Sequence, residues 1–234
     1  MGFNYVQSGS VALWTGDPNC QNGHDYMRTW LRTHISPYPV TWIDGDTRTQ
    51  GNLGEALAFC VAKFGQLDTY RPFVANAFAP FSGISRNEID ILWIGFGPTP
   101  ADDRAIIQEV KTTFAQDLAY AKQLLPDYEK AFGVDPKVQF NTHLGKVKVE
   151  LEMTHKRPDL AKRVNALTAT TPANAKRIVC IPTLVHDLAG ADPAGTLSAI
   201  KSAMVAKGWV SVHPWSIALS EIKLRFPRIA QDQP

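Results

Sequence analysis

Apolar and polar positions alternate along much of the chain in the way that half-buried β-strands require. Successive side chains of a strand point to opposite faces of its sheet, so the pattern has a period of two. Bounded by turn residues, this pattern predicts six strands. They cover residues 6–14, 70–78, 89–96, 105–112, 177–185 and 209–217.

Other segments repeat their apolar residues every three or four positions, as amphipathic helices do. The clearest is 50–64, where Leu53, Leu57, Cys60 and Phe64 form one stripe and Gly65 is placed to end the helix. Further helices are predicted over 25–34, 158–167 and 196–207, and over 114–132, where the helix is broken or kinked near Pro126.

The segment 137–153 is ambiguous. Its KVKVELEM run alternates strictly, which favours a strand with Lys146, Lys148, Glu150 and Glu152 on one face, although the same residues could also continue a helix. The order helix, three strands, helix, strand, helix, strand predicts an α/β sandwich with a mixed central sheet.

Four charged residues interrupt these apolar runs: Glu55 in GNLGEALAFC, Asp90 in NEIDILWIG, and Glu109 and Lys111 in AIIQEVKTT. Burying an unpaired charge costs several kcal/mol, so each needs a metal, a partner or water. Strand alternation puts Glu109 and Lys111 on one face. If the two strands pair as antiparallel neighbours, Asp90 and Glu109 can come close enough to share a divalent cation through their oxygens.

The ordered set Glu55, Asp90, Glu109 and Lys111 resembles the PD-(D/E)XK nuclease superfamily, in the branch similar to Holliday-junction resolvases. In that pattern a helix supplies a glutamate, the next strand an aspartate and the following strand Glu-x-Lys. Ile89 stands where the motif has proline. The resemblance implies a restriction-endonuclease-like α/β/α sandwich at 49–234, preceded by a cap or partner-binding segment at 1–48.

The resemblance also implies roles for these residues. Asp90, Glu109 and the carbonyl of Val110 would bind Mg²⁺, with Mn²⁺ as an alternative ion. Lys111 would position the attacking water and balance growing negative charge, and Glu55 would orient water or a second metal. Taken singly, Glu55 is equally well an exposed helix glutamate, and Glu-x-Lys a salt bridge on a half-exposed strand. The ordered set carries the inference.

Composition narrows the class of protein. At 234 residues, 44% hydrophobic and 20% charged, the chain is typical of an ordinary soluble globular domain. The N-terminus lacks a signal-peptide pattern and no apolar run reaches the roughly 18 residues of a membrane helix, so we expect a cytoplasmic protein without a membrane partner. Three widely separated cysteines indicate neither a disulfide framework nor a Cys-x-x-Cys metal site. The motifs of P-loop NTPases, α/β-hydrolases and zincins do not occur.

Charge is unevenly distributed along the chain. Residues 137–163 contain seven Lys and Arg against three Asp and Glu, whereas 98–136 contain four against seven. We expect Lys146, Lys148, Lys156 and Arg157 to contact a phosphate backbone, although a solvated helix face would have the same composition.

The resemblance implies a Mg²⁺-dependent deoxyribonuclease. By family analogy it would serve antiphage defence or DNA repair. A helicase or specificity subunit would be its partner protein, and the chain could also form a homodimer. The alternative is a catalytically silent nuclease-like domain that binds nucleic acid or acts as a scaffold. The residues leave open DNA or RNA, single strand or duplex, and endonuclease or exonuclease.

Overall fold

A computed structural model of the chain describes residues 3–16, 47–65, 71–75, 89–113, 118–133, 140–186 and 192–218. The predicted helix over 25–34 lies outside these ranges. In the described residues the strands are β1 (Phe3–Ser8), β2 (Val11–Gly16), β3 (Arg71–Ala75), β4 (Ile91–Gly95), β5 (Arg104–Thr113), β6 (Ile178–His186) and β7 (Trp215–Ala218). The helices are α1 (Thr47–Gly65), α2 (Leu124–Lys130), α3 (Phe140–Met153), α4 (Pro158–Val164) and α5 (Pro193–Ala206).

The described strands form one seven-stranded sheet in the order β1-β2-β7-β6-β5-β4-β3. The pairs β1–β2, β3–β4 and β4–β5 are antiparallel, and β2–β7, β7–β6 and β6–β5 are parallel. The prediction of an α/β fold with a mixed central sheet is therefore confirmed. The narrower restriction-endonuclease-like fold stays a prediction.

Helices cover both faces of the sheet. On one face α1 packs against β4 and β5, and Phe59 stacks on Trp93 with ring centroids 4.9 Å apart. On the other face Leu92 and Ile107 belong to one buried core with side chains of α2, α3, α4 and α5. Strand alternation explains this division, because Trp93 and Leu92 are neighbours in sequence and point to opposite sides.

Several predicted elements agree closely with the structure. The helix predicted over 50–64 is α1, which ends at Gly65. The strands predicted over 89–96, 105–112 and 177–185 are β4, β5 and β6 within two residues at each end. The helix over 196–207 is α5, and 158–167 is α4 followed by a 3₁₀ turn, Asn165–Leu167.

The ambiguous segment forms a helix, so the strand favoured by its alternating pattern was wrong. The apolar residues Phe140, Leu144, Val147 and Leu151 recur at three- and four-residue steps and are all buried. Val149, which a strand would have placed with Val147 and Leu151, is 57% exposed. Burial of the helical stripe therefore decided between two patterns that the same residues satisfy.

Three smaller predictions are corrected. The strand over 6–14 is a hairpin, because Gly9 takes a positive φ of 56° and allows the chain to reverse between β1 and β2. Of the helix predicted over 114–132, the described part from residue 118 is a 3₁₀ segment, Leu118–Gln123, followed by α2, whose first turn holds Pro126 without losing a helical hydrogen bond. The last strand begins only at Trp215, although a bridge joins Val212 to Cys180.

The N-terminal strands extend the sheet, because β2 pairs with β7. The domain boundary predicted between residues 48 and 49 falls inside α1. The part of the predicted cap that the structure describes is thus an edge of the main sheet and the first residues of α1, while the division into two parts stays a prediction. No helix in the described ranges is long and apolar enough to cross a membrane.

Candidate functional site

Asp90 and Glu109 lie opposite each other on neighbouring strands. β4 and β5 are antiparallel, with Leu92 opposite Ile107 and Ile91 opposite Gln108. Continuing this register by one residue places Asp90 opposite Glu109. Alternation then puts both carboxyl groups on the face of Leu92 and Ile107, at the end of a buried apolar surface. Both acids are themselves buried.

A backbone hydrogen bond fixes the orientation of Asp90. The amide of Val110 donates to Oδ2 of Asp90 over 2.8 Å. Within a strand, the amide and carbonyl of one residue point to the same edge, so the Val110 carbonyl also faces the side on which Asp90 lies. Two carboxyl groups and one carbonyl therefore converge where β5 extends beyond the start of β4.

Both carboxyl groups have raised pKa values. Burial raises the pKa of Asp90, and burial together with the charge of Asp90 raises the pKa of Glu109 well above its usual range. A hydrogen bond between the two groups lowers the pKa of Asp90 and raises that of Glu109, which makes Glu109 the donor. Two buried carboxylates this close need a positive charge or a proton between them.

Lys111 lies beside this pair and is itself held by another acid. Its Nζ is 2.5 Å from Oδ2 of Asp127, a residue of α2 whose Oδ1 is 2.6 Å from Nζ of Lys130. Burial alone would lower the pKa of Lys111, but the surrounding charges of Asp90, Asp127 and Glu109 outweigh burial and raise the pKa. The side chain is therefore an ammonium at neutral pH.

Tyr128, next in sequence to Asp127, attaches α2 to β5. Its hydroxyl donates to the Ile107 carbonyl over 3.0 Å and accepts from the Glu109 amide over 3.3 Å. The side chain is fully buried and meets Trp209 edge to face. No pattern in the sequence pointed to Asp127 or Tyr128 as members of the site. Only the proximity of Lys130 at i+3 hinted at an ion pair there, and nothing in the pattern pointed to β5.

Glu55 approaches from a different direction. It lies on α1, which packs on the sheet face opposite to the one that carries Glu109 and Lys111. The helix lies close against β5 at Gly54, where an added Cβ would overlap the side-chain oxygen of Thr112. The structure therefore brings Asp90, Glu109 and Lys111 together on one face and places half-buried Glu55 near the same end of β5, in the other layer.

The predicted phosphate contacts lie on α3 and in the turn that follows it. Lys146 is exposed and Lys148 half-buried. Because α3 is a helix, these two residues point in different directions, and the favoured strand face with Lys146, Lys148, Glu150 and Glu152 does not form. Lys156 is exposed with a positive φ of 53°, and Arg157 is exposed and pairs with Asp159 at 2.7 Å.

Arg163, the last cation of the basic stretch, has a structural role. Its Nε donates to Oδ2 of Asp103 over 3.0 Å and its Nη2 donates to Oδ1 of the same group. Nη2 also donates to the carbonyls of Gly97 and Thr99, over 2.7 and 3.2 Å. The guanidinium lies over the ring of Phe96, 5.4 Å from its centroid. Because Asp103 is fully buried, its carboxylate needs this partner.

The donor set fits a hard divalent cation. Mg²⁺ takes oxygen ligands at about 2.0–2.1 Å and commonly keeps several waters, so it needs only one or two carboxylates from a protein. Asp90, Glu109 and the carbonyl of Val110 are such oxygens, and a bound cation would supply a positive charge beside these two buried acids. Among the residues that the structure describes, no three His, Cys, Asp or Glu side chains form a metal-binding group by themselves.

The fold and the site define an α/β protein with a mixed central sheet, and a buried carboxyl pair with an adjacent ammonium at one end of β4 and β5. Comparison with models of known protein families gives no match, and neither does comparison with curated proteins.

Proposed function

We propose that the protein is a metal-dependent nuclease that hydrolyses phosphodiester bonds, with DNA as its substrate. One observation carries the proposal: Asp90 lies opposite Glu109 on paired strands, and Lys111 follows on the same face. This is the arrangement expected of the PD-(D/E)XK motif that the sequence resembles.

In this proposal Asp90, Glu109 and the Val110 carbonyl hold Mg²⁺, or Mn²⁺ in its place. The bound cation would lower the pKa of a water molecule and neutralise charge on the scissile phosphate. Lys111 acts as an electrostatic stabiliser. It is not a free base, because the neighbouring carboxyl groups raise the pKa of its amine. Glu55 orients water from the opposite layer.

The basic residues of α3 and of the turn after it support substrate binding. The buried side of α3 shares one core with Leu92 and Ile107, so this helix lies on the sheet face that carries Asp90 and Glu109. Lys146 and Lys156 are exposed on that layer and would contact phosphates irrespective of base sequence. A helicase or specificity subunit would then supply target choice, in antiphage defence or DNA repair.

The test is cleavage of plasmid DNA, circular single-stranded DNA and RNA with and without Mg²⁺ or Mn²⁺. We expect metal-dependent cleavage of DNA that is lost in Asp90→Asn, Glu109→Gln and Lys111→Gln. The matched controls Glu152→Gln and Lys122→Gln change surface charges elsewhere and should cut like the parent. Mg²⁺ binding by each variant is also measured by calorimetry. Asp90→Asn and Glu109→Gln should abolish this binding.

Two results would overturn the proposal. One is full activity in Asp90→Asn or Glu109→Gln. The other is binding of nucleic acid without cleavage of any substrate under either metal, which would assign the chain to the alternative class of silent, nuclease-like binding domains.

A further inference from the structure

The acid that holds Lys111 is the least expected member of the site. Asp127 belongs to α2, 16 residues after Lys111 in the sequence, yet its Oδ2 lies 2.5 Å from Nζ of Lys111. The side chains of both residues are mostly buried, 16% and 17% exposed, so water screens the pair only partly. The other carboxylate oxygen is bound by Lys130, whose side chain is 55% exposed.

The position of Asp127 relative to β5 is fixed by its neighbour. Tyr128 is fully buried, and its hydroxyl bonds to the backbone of β5 at Ile107 and Glu109. The backbone of Asp127, one residue away, cannot shift far without breaking these bonds. α2 is therefore attached to β5 at two points, one at the backbone of Glu109 and one at the side chain of Lys111.

Lys111 needs such a partner because its side chain is long and flexible and has two possible destinations. Asp90 and Glu109 attract its ammonium, in addition to Asp127. If Lys111 turned fully towards Asp90 and Glu109, its ammonium would occupy the place where a divalent cation must bind. An ammonium held at the side of the pair leaves that place open and still faces a phosphate bound there.

We propose that Asp127 is the positioning residue for Lys111: it holds the ammonium beside the Asp90–Glu109 pair and so keeps the cation-binding position open. The inference rests on the proposed function for its catalytic consequence, whereas its consequence for metal binding does not require cleavage. Asp127 itself contacts neither the cation nor the substrate in this proposal.

The test is a double-mutant cycle between Asp127→Asn and Lys111→Gln, with Mg²⁺ affinity measured by calorimetry on the full chain. We expect Asp127→Asn alone to weaken Mg²⁺ binding at least about five-fold, because Lys111 then competes with the cation. In the Lys111→Gln background the same substitution should change the affinity less than two-fold. Asp127→Glu should restore most of the affinity, and Glu129→Gln, which removes an exposed acid of the same helix, is the matched control that leaves it unchanged.

Cleavage kinetics give the second readout. Asp127→Asn should lower kcat with little change in KM and should add nothing to the loss caused by Lys111→Gln. An equal weakening of Mg²⁺ binding by Asp127→Asn in both backgrounds would overturn the inference, since Asp127 would then act through its own charge. So would parent-like Mg²⁺ affinity in Asp127→Asn. If the parent binds Mg²⁺ with the expected coupling but cuts no nucleic acid, the positioning role stands and the proposed function fails.

Discussion

α1 lies close against β5 at Gly54, and this close packing predicts the effect of Gly54→Ala. A Cβ at this position would overlap Oγ1 of Thr112 and come within 2.9 Å of its Cβ and 3.1 Å of its Cγ2. Thr112 lies in β5, paired with Val185 of β6, so it has little freedom to retreat. Alanine therefore forces α1 away from the sheet.

The expected size of the effect follows from two opposing terms. Overpacking of this kind typically costs about 1–3 kcal/mol. Replacing a helical glycine by alanine returns about 1 kcal/mol through helix propensity. We therefore expect Gly54→Ala to lower the free energy of unfolding by roughly 0–2 kcal/mol.

Gly51, on the same helix, is the matched control. A Cβ added there meets no atom within 4 Å, so Gly51→Ala should gain about 1 kcal/mol from propensity alone. The two variants should thus differ by about 1–3 kcal/mol, the overpacking term. Urea unfolding of the metal-free protein measures this difference, provided that the slope of the transition is the same in both variants.

A second substitution tests the cause. Thr112→Ala removes the overlapping oxygen and the 3.1 Å contact and keeps the 2.9 Å contact, so it should recover part of the loss in the Gly54→Ala background. Cleavage should fall in Gly54→Ala and not in Gly51→Ala, because Glu55 moves with its neighbour. Equal stability gains in Gly54→Ala and Gly51→Ala would refute the close packing of α1 on β5.

Three further predictions concern pH and salt. The pKa of Asp90 and that of Glu109 are raised in the folded protein, so the metal-free fold holds a proton that the unfolded chain releases. The stability of the fold should therefore fall as pH rises above the ordinary carboxyl range. Glu109→Gln should flatten this slope in melts from pH 4 to 8. Burial lowers the pKa of His143 to about 4, so stability should also fall as pH drops from about 6.5 towards 4, a loss that His143→Leu should remove; an unchanged slope would refute this origin. Lys146→Glu and Lys156→Glu should each flatten the salt dependence of DNA binding by about one unit, and an unchanged slope in both would leave α3 a solvated face.

His143 also illustrates how far local patterns reach. It lies on the buried side of α3, and neither ring nitrogen has a hydrogen-bond partner among the described residues. A period of two and steps of four both place His143 on the side of Val147 and Leu151, so a strand and a helix would bury it alike. The helix changes the exposure of Val149, which a strand would have buried.

The local patterns did determine the two strands of the candidate site. β4 and β5 were predicted with the correct faces, so Asp90 was expected on the side of Leu92, and Glu109 on the side of Lys111. α1 and its end at Gly65 followed in the same way. These features depend on side-chain period and on turn residues, which are properties of a few consecutive positions.

The tertiary structure decided what surrounds those strands. It placed Asp127 against Lys111, Tyr128 against the backbone of Glu109, and Arg163 against buried Asp103, although the sequence had assigned Arg163 to a basic, phosphate-binding stretch. Ion pairs and hydrogen bonds between distant segments carry no period along the chain. Their partners are selected by which helices pack on which face, and that packing is settled by burial of the whole core rather than by any single segment.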